Sequence, residues 1–419
     1  MKLGKNFIIY MMSSIVSGAM PLALMPLLTH RLDPGQYGVM ATLTTMSLLL
    51  WPVINWSVTS YLGVRYFKTD QDDLPVMFSS ALTISLTMAA LLLAGFWIFR
   101  HSLALLLSIP PQWSVAIPIM ASAMLLPQIA QTISALRNRP VTYAMFEISG
   151  AIINFVGTIL FVLLLNLAWE GRIFAAMLAS ASLSVVALAR FNREKMLTRH
   201  VRRDDMVDTL RFGSGAMANE LAMQALRQGD RILIVILIGQ AAMGKYAVAL
   251  QWSSIMLTIL TAFGRAWSPF LFSSLSSQTE ETDKRVVKQT YLIWAMLLIL
   301  FVGFNIATPI GYHILVDQRY HDSMKIVLWI TMGYLFTGLY LTQVDYILYS
   351  KKTHILAVVT AVNLAINLSL AYILIGVYGA IGAAMAFALT MGVVFCLTFA
   401  VSRKVHPMPW ALGLLPWRR

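Results

Sequence analysis

Apolar stretches of about 20 residues recur along the whole chain, separated by short polar breaks. Each is long enough to cross roughly 30 Å of hydrocarbon as a helix. The pattern predicts twelve spans, near 8–28, 39–62, 76–99, 114–136, 144–166, 173–190, 213–238, 246–264, 290–310, 326–348, 355–375 and 380–402. Helix is the expected form, because it satisfies its own backbone groups where no water can reach them. The first stretch is too long for a signal-peptide core and has no small-residue cleavage site, so it is read as a retained helix.

Composition supports this pattern. Of 419 residues, 58% are hydrophobic and only 12% are Asp, Glu, Lys or Arg, against about 25% charged in an ordinary soluble domain. Lipid must cover much of such a chain, and no segment resembles a separate soluble domain. The lone cysteine, Cys396, falls inside a predicted span, so neither a disulfide framework nor a cysteine-based metal site is expected.

The net charge of +13 would suggest a nucleic-acid partner in a soluble protein. Its distribution argues otherwise. Twelve spans place both termini on one side, and 23 of the 31 Lys and Arg residues fall on that side. The other side holds Arg31, Arg100, Arg172, Lys245, Arg319 and Lys325, while Arg227 and Arg231 lie inside the seventh span. This asymmetry predicts cytoplasmic termini and no nucleic-acid partner.

The two halves repeat. Gly35-Gln36-Tyr37-Gly38-Val39 follows the first span and Gly244-Lys245-Tyr246-Ala247-Val248 the seventh, an offset of 209. Gly171-Arg172-Ile173-Phe174-Ala175-Ala176-Met177 opens the sixth and Gly379-Ala380-Ile381-Gly382-Ala383-Ala384-Met385 the twelfth, at offset 208 with five of seven residues identical. Six helices per repeat is an even number, so the repeats run parallel. The expected organisation is a six-helix bundle at 1–190, a basic linker at 191–211, a second bundle at 212–402 and a basic tail at 403–419. The linker's charge reads as an orientation signal with a solvated face.

Several short motifs now fall into order: Leu27-Leu28-Thr29-His30-Arg31-Leu32-Asp33-Pro34-Gly35-Gln36-Tyr37-Gly38; Gly171-Arg172-Ile173; Arg211-Phe212-Gly213 leading to Gly229-Asp230-Arg231; Gly244-Lys245-Tyr246; and Ala266-Trp267-Ser268-Pro269-Phe270. Over essentially the whole chain this resembles the Wzx-type O-antigen flippases of the multidrug/oligosaccharidyl-lipid/polysaccharide exporter superfamily. The resemblance implies an all-α polytopic protein with two parallel six-helix bundles around a central cavity. It also implies transport, rather than catalysis, of an undecaprenyl-diphosphate-linked oligosaccharide across the bacterial inner membrane. Surface-polysaccharide polymerase and chain-length machinery would be its partners. The drug exporters of the superfamily share the twelve-helix plan and are the nearest rival reading.

Charges inside spans are costly and informative. In the seventh span, Glu220, Gln224, Arg227 and Arg231 recur at i, i+4, i+7 and i+11. At 3.6 residues per turn they share one stripe roughly 60° wide, which Gly213 and Ala216 continue. Two readings stay open. The stripe faces a cavity and Arg227 and Arg231 meet a diphosphate, or it forms an internal ion-pair cluster with Glu220 and Asp230. Arg31, Gln224 and Glu220 complete the candidate substrate-binding set, and Glu220, Asp230 and Asp345 are candidate proton or sodium sites. Glu147 and Asp345 lie near predicted helix ends where solvent is expected. Asn154, Asn363 and Asn367 read as interhelical bridges. Pro21 and Pro26 can kink the first helix.

Gly239-Gln240-Ala241-Ala242-Met243-Gly244-Lys245-Tyr246 nearly spells a P-loop but has Tyr where Ser or Thr must bind magnesium. It also follows a span on the outer side, away from ATP. No nucleotide, metal or other cofactor is expected. A third reading, a membrane polymerase or ligase, would rest on the outer loop at 311–325 with His313, Asp317, Arg319, His321 and Asp322. An interfacial polar loop explains those residues more simply.

Overall fold

A computed structural model of the chain describes residues 2–276 and 279–410. Arg418 and Arg419 of the basic tail, and the side chains of Lys2 and Lys5, lie outside the described residues. The helices are α1 (Lys2–Arg31), α2 (Pro34–Asn55), α3 (Val58–Arg65), α4 (Leu74–Ile98), α5 (Arg100–Leu107), α6 (Pro111–Ser114), α7 (Ala116–Ala123), α8 (Leu125–Leu136) and α9 (Pro140–Thr158). They continue as α10 (Ala168–Arg193), α11 (Arg203–Leu237), α12 (Gln240–Leu275), α13 (Glu280–Leu315), α14 (Met324–Tyr349), α15 (Thr353–Tyr378) and α16 (Ala380–Val405). All twelve predicted spans have a helical counterpart, and no strand occurs among the described residues.

This is a multi-pass membrane protein. Eleven helical segments are long and apolar enough to cross a bilayer. They leave bulky apolar side chains bare, Ile299 71% exposed and Val377 69% among them, which lipid covers and water would not. The twelfth, α11, is long enough at 35 residues and falls short only because its middle is charged.

Helix starts follow local chemistry. Asp33 caps α2, its carboxylate accepting the N–H groups of Gly35 at 2.8 Å and Gln36 at 3.0 Å, with Pro34 in the first turn. The span expected at 39–62 is broken: Trp56 (φ 45°) and Ser57 (φ 54°) are both left-handed, and the chain restarts as α3. The break holds because Ser85 donates to the freed Asn55 carbonyl at 3.1 Å and the Asn55 side chain donates to Thr59 at 3.0 Å.

The described chain forms two compact units, Met1–Gly244 and Lys245–Arg419. In the first, α11 packs along α2, α4 and α3. The first turns of α2 and α12 also touch there, backbone on backbone. A Cβ on Gly38 would fall inside the Gln240 backbone, and one on Gly244 inside the Pro34 carbonyl. The repeated glycine motifs therefore meet each other. Gln240 fixes the crossing by accepting from Thr42 at 2.8 Å and donating to the Leu107 carbonyl at 2.6 Å.

The basic linker is largely engaged. The backbone N–H groups of Thr198 and Arg202 donate to Ser79 and Ser80 at 3.0 and 3.1 Å, and Met196 is buried against Phe78, Phe191 and Ile133. Arg65 pairs with Asp208, Arg202 with Asp73, and Arg137, Arg139 and Arg190 converge on Glu194. The linker backbone is docked, while its basic side chains, Arg193, Lys195, Arg199, Arg202, Arg203 and Arg211, form an exposed face.

Burial alone would raise the Glu194 carboxyl, but hydrogen bonds and attraction from Arg190 and Arg137 more than offset it and hold it below the usual carboxylate range. A lowered folded-state pKa contributes stability fully above the unfolded value and loses it as pH falls through the folded one. Glu194→Gln is therefore expected to destabilise the detergent-purified protein at pH 7 by about 1–3 kcal/mol, read as a lower melting temperature. The gap to wild type should close as the pH falls below about 4.

In the second unit α14 and α16 pack most extensively, with α15 against α16. Gly382 permits the tight hairpin, since a Cβ there would overlap the Leu374 carbonyl, and Ala386 is fully buried. Trp267, Leu271, Val287 and Tyr346 fill one core, and a polar thread runs beside it. Ser402 donates to Gln343 at 3.0 Å, and Trp294 to Thr342 at 3.0 Å.

Candidate functional site

α11 carries most of the residues expected to meet a substrate. Arg227 is exposed, and its guanidinium makes no hydrogen bond or ion pair among the described residues. Glu220 and Gln224 are half-buried on the same face. Glu220 feels the charge of Arg227 but is not in ion-pair contact with it. Arg231 is half-buried, and its Nε is shielded without a hydrogen-bond partner. The Asp230 carboxylate accepts the Arg231 backbone N–H at 2.8 Å. Two arginines one turn apart repel each other unless an anion lies between them.

The stripe does not stay on the surface throughout. Gly213 is buried against the Trp56 ring, whose Nε1 donates to the Leu210 carbonyl at 3.3 Å. Its small size serves helix packing, so the exposed polar face runs from Glu220 to Arg227. Arg31 is exposed at the end of α1, and no hydrogen bond or ion pair among the described residues joins it to α11. Asp345 belongs to the second unit. It is 4% exposed and accepts the Ser268 hydroxyl at 2.6 Å, so the solvated position expected for it is not what the fold provides.

Glu147 likewise turns inward to α1, accepting from Ser13 at 2.7 Å and Ser14 at 3.2 Å. Asn363 and Asn367 are buried in α15, Asn363 with an unpartnered oxygen. The polar loop at 311–325 pairs within its own unit, Arg319 with Asp317 at 2.7 Å and Lys245 with Asp322 at 3.0 Å.

One group escaped the sequence. Arg172, counted there in an outer loop, lies one turn inside α10 and donates to the Asn154 Oδ1 of α9. Tyr37 is buried close enough to interact with it electrostatically. The buried Trp169, three residues earlier, was the available signal: tryptophan favours the membrane boundary, which puts Arg172 beyond it on the apolar side. Two adjoining cavities, about 240 and 210 Å3, share Arg172, Asn154, Met124 and Ser180.

Helical spans in this arrangement, with charges kept on selected faces, define an all-helical, multi-pass membrane protein. The chain belongs to the polysaccharide biosynthesis protein family, whose model matches residues 27–325. No curated protein sequence matches it significantly.

Among solved structures, it is similar to the lipid II flippase MurJ in an inward closed conformation (TM-score 0.74, 14% identity, 95% of this chain and 87% of that one). It is also similar to an inward-facing multidrug resistance MATE family transporter (TM-score 0.70, 13% identity, 97% and 98%). A third, from Pyrococcus furiosus, is a superfamily transporter described by the reverse polarity of its binding pocket (TM-score 0.62, 13% identity, 99% and 96%). These likenesses establish the fold.

Proposed function

We propose that this protein flips an undecaprenyl-diphosphate-linked oligosaccharide repeat unit from the cytoplasmic to the periplasmic leaflet of the bacterial inner membrane. It does so by alternating access between bundles at 1–190 and 212–402, with both termini cytoplasmic, and supplies O-antigen or another surface polysaccharide. The observation that carries this reading is the Arg227 guanidinium, exposed on α11 with no hydrogen-bond or ion-pair partner among the described residues, in a chain of a polysaccharide biosynthesis family.

A charged, hydroxylated head group cannot enter hydrocarbon unaided, and a guanidinium matches phosphate oxygens two at a time. An exporter of organic cations would want acidic groups in that place. Arg231, Gln224 and Glu220 extend the polar track, with Arg31 a further substrate contact. Glu220, Asp230 and Asp345 are the proposed sites of coupling to a proton or sodium gradient.

The test is a deletion strain. Lipid-linked repeat units should accumulate facing the cytoplasm, and the wild-type gene should restore their outward appearance. Unchanged sidedness in the deletion, with only chain lengthening lost, would favour a polymerase instead.

A further inference from the structure

We infer that the first unit contains an anion-binding chamber, separate from the α11 stripe, that takes a phosphate-type oxyanion on Arg172. Arg172 remains charged at any physiological pH, and a guanidinium inside a membrane bundle needs a counter-charge or a full set of acceptors. Among the described residues it has neither. Its hydrogen-bond partner is the neutral Asn154 amide, no carboxylate lies within ion-pair distance among the described residues, and neither adjoining cavity is lined by an Asp or Glu.

The polar part of the larger cavity's wall adds hydrogen-bond donors. The Asn154 Oδ1 is occupied by Arg172 and, at 3.5 Å, by Thr158, which leaves its NH2 free to donate. The Ser17 hydroxyl is shielded and has no partner among the described residues, and it lines the larger cavity with Ser180 and Gln128. One fixed positive charge ringed by amide and hydroxyl donors suits an anion with several oxygens. It does not suit a cation or an apolar ligand. The apolar lining from Met20, Leu24 and Phe155 accommodates whatever chain the phosphate carries.

The source is a phospholipid head group or the diphosphate of a lipid-linked sugar, and the test separates them. Purified protein would be examined by native mass spectrometry with inorganic pyrophosphate, undecaprenyl diphosphate and phosphatidylglycerol as probes. Wild type should retain at least one of them. Arg172→Gln should lose it at least tenfold, while Gly303→Ala, in the second unit with no atom within 4 Å of the added methyl, keeps it. Preference for undecaprenyl diphosphate over phosphatidylglycerol identifies the lipid-linked diphosphate, and the reverse identifies the bulk lipid.

Arg172→Gln removes a packing residue, so Asn154→Asp serves as the second variant. It gives Arg172 an internal counter-ion, and it should fold at least as well as wild type yet lose the anion. Binding that is equal in wild type, Arg172→Gln and Asn154→Asp, or absent for all three probes, overturns the chamber. The flippase reading has its own test, the sidedness of lipid-linked repeat units in cells.

Discussion

Gly38→Leu is expected to leave almost no folded protein after detergent extraction. At this position the backbones of α2 and α12 meet directly, and a Cβ on Gly38 would overlap the Gln240 carbonyl group. A clash with backbone cannot be relieved by a rotamer change. The helices must separate, which breaks the Gln240 hydrogen bonds to Thr42 and Leu107. Overpacking of this kind costs about 3 kcal/mol or more. Gly38→Ala and Gly244→Ala should show the same defect in milder form, because Gly244 meets the Pro34 carbonyl from the opposite side. Gly303→Ala is the control. No atom lies within 4 Å of its added methyl, and Gly to Ala inside a helix is favourable by about 0.8–1 kcal/mol. Size-exclusion profiles and melting curves of the four variants check the ordering.

The second large effect falls on transport. Arg227→Ala should slow outward movement of the lipid-linked oligosaccharide at least tenfold at normal protein abundance. Charge-assisted hydrogen bonds to phosphate contribute about 1.5–3 kcal/mol, and about 1.4 kcal/mol is a factor of ten. Arg227→Lys should recover part of the rate, because the ammonium keeps the charge and loses the two-pronged geometry. Stability should be unaffected in both, since the exposed guanidinium holds no protein partner among the described residues. Full activity in both variants would remove Arg227 from the path of the head group.

These two positions show what a sequence discloses in a membrane protein. Length and apolarity mark spans because the bilayer imposes both, so all twelve helices were legible. The glycine motifs were legible as a repeat, but their mutual contact was not, since a repeat offset says nothing of which copies touch. The break at Trp56–Ser57 has Pro52 one turn upstream but no glycine at the left-handed positions, and its backbone is held by Asn55 and Ser85, 30 residues apart. α5 was read as loop because eight residues are far too short to span. On α11 the 3.6-residue period identified the charged face but not which part of it is covered. Gly213 lies under Trp56 and Arg227 does not. Arg172 was misplaced for a related reason. A glycine before it looks like a turn, whereas α10 has already begun at Ala168.

Everything proposed about transport requires that the polar face of α11 border water inside the membrane. The most direct measurement uses the single cysteine of the chain, Cys396. It is replaced by serine, and a new cysteine is introduced as Gln224→Cys. A membrane-impermeant, negatively charged thiol reagent should label this variant in intact membranes, and undecaprenyl-diphosphate-linked oligosaccharide should slow the labelling. Reaction only with an apolar, lipid-soluble maleimide, unaffected by that substrate, would mean that the face looks into lipid and that no head group travels along it.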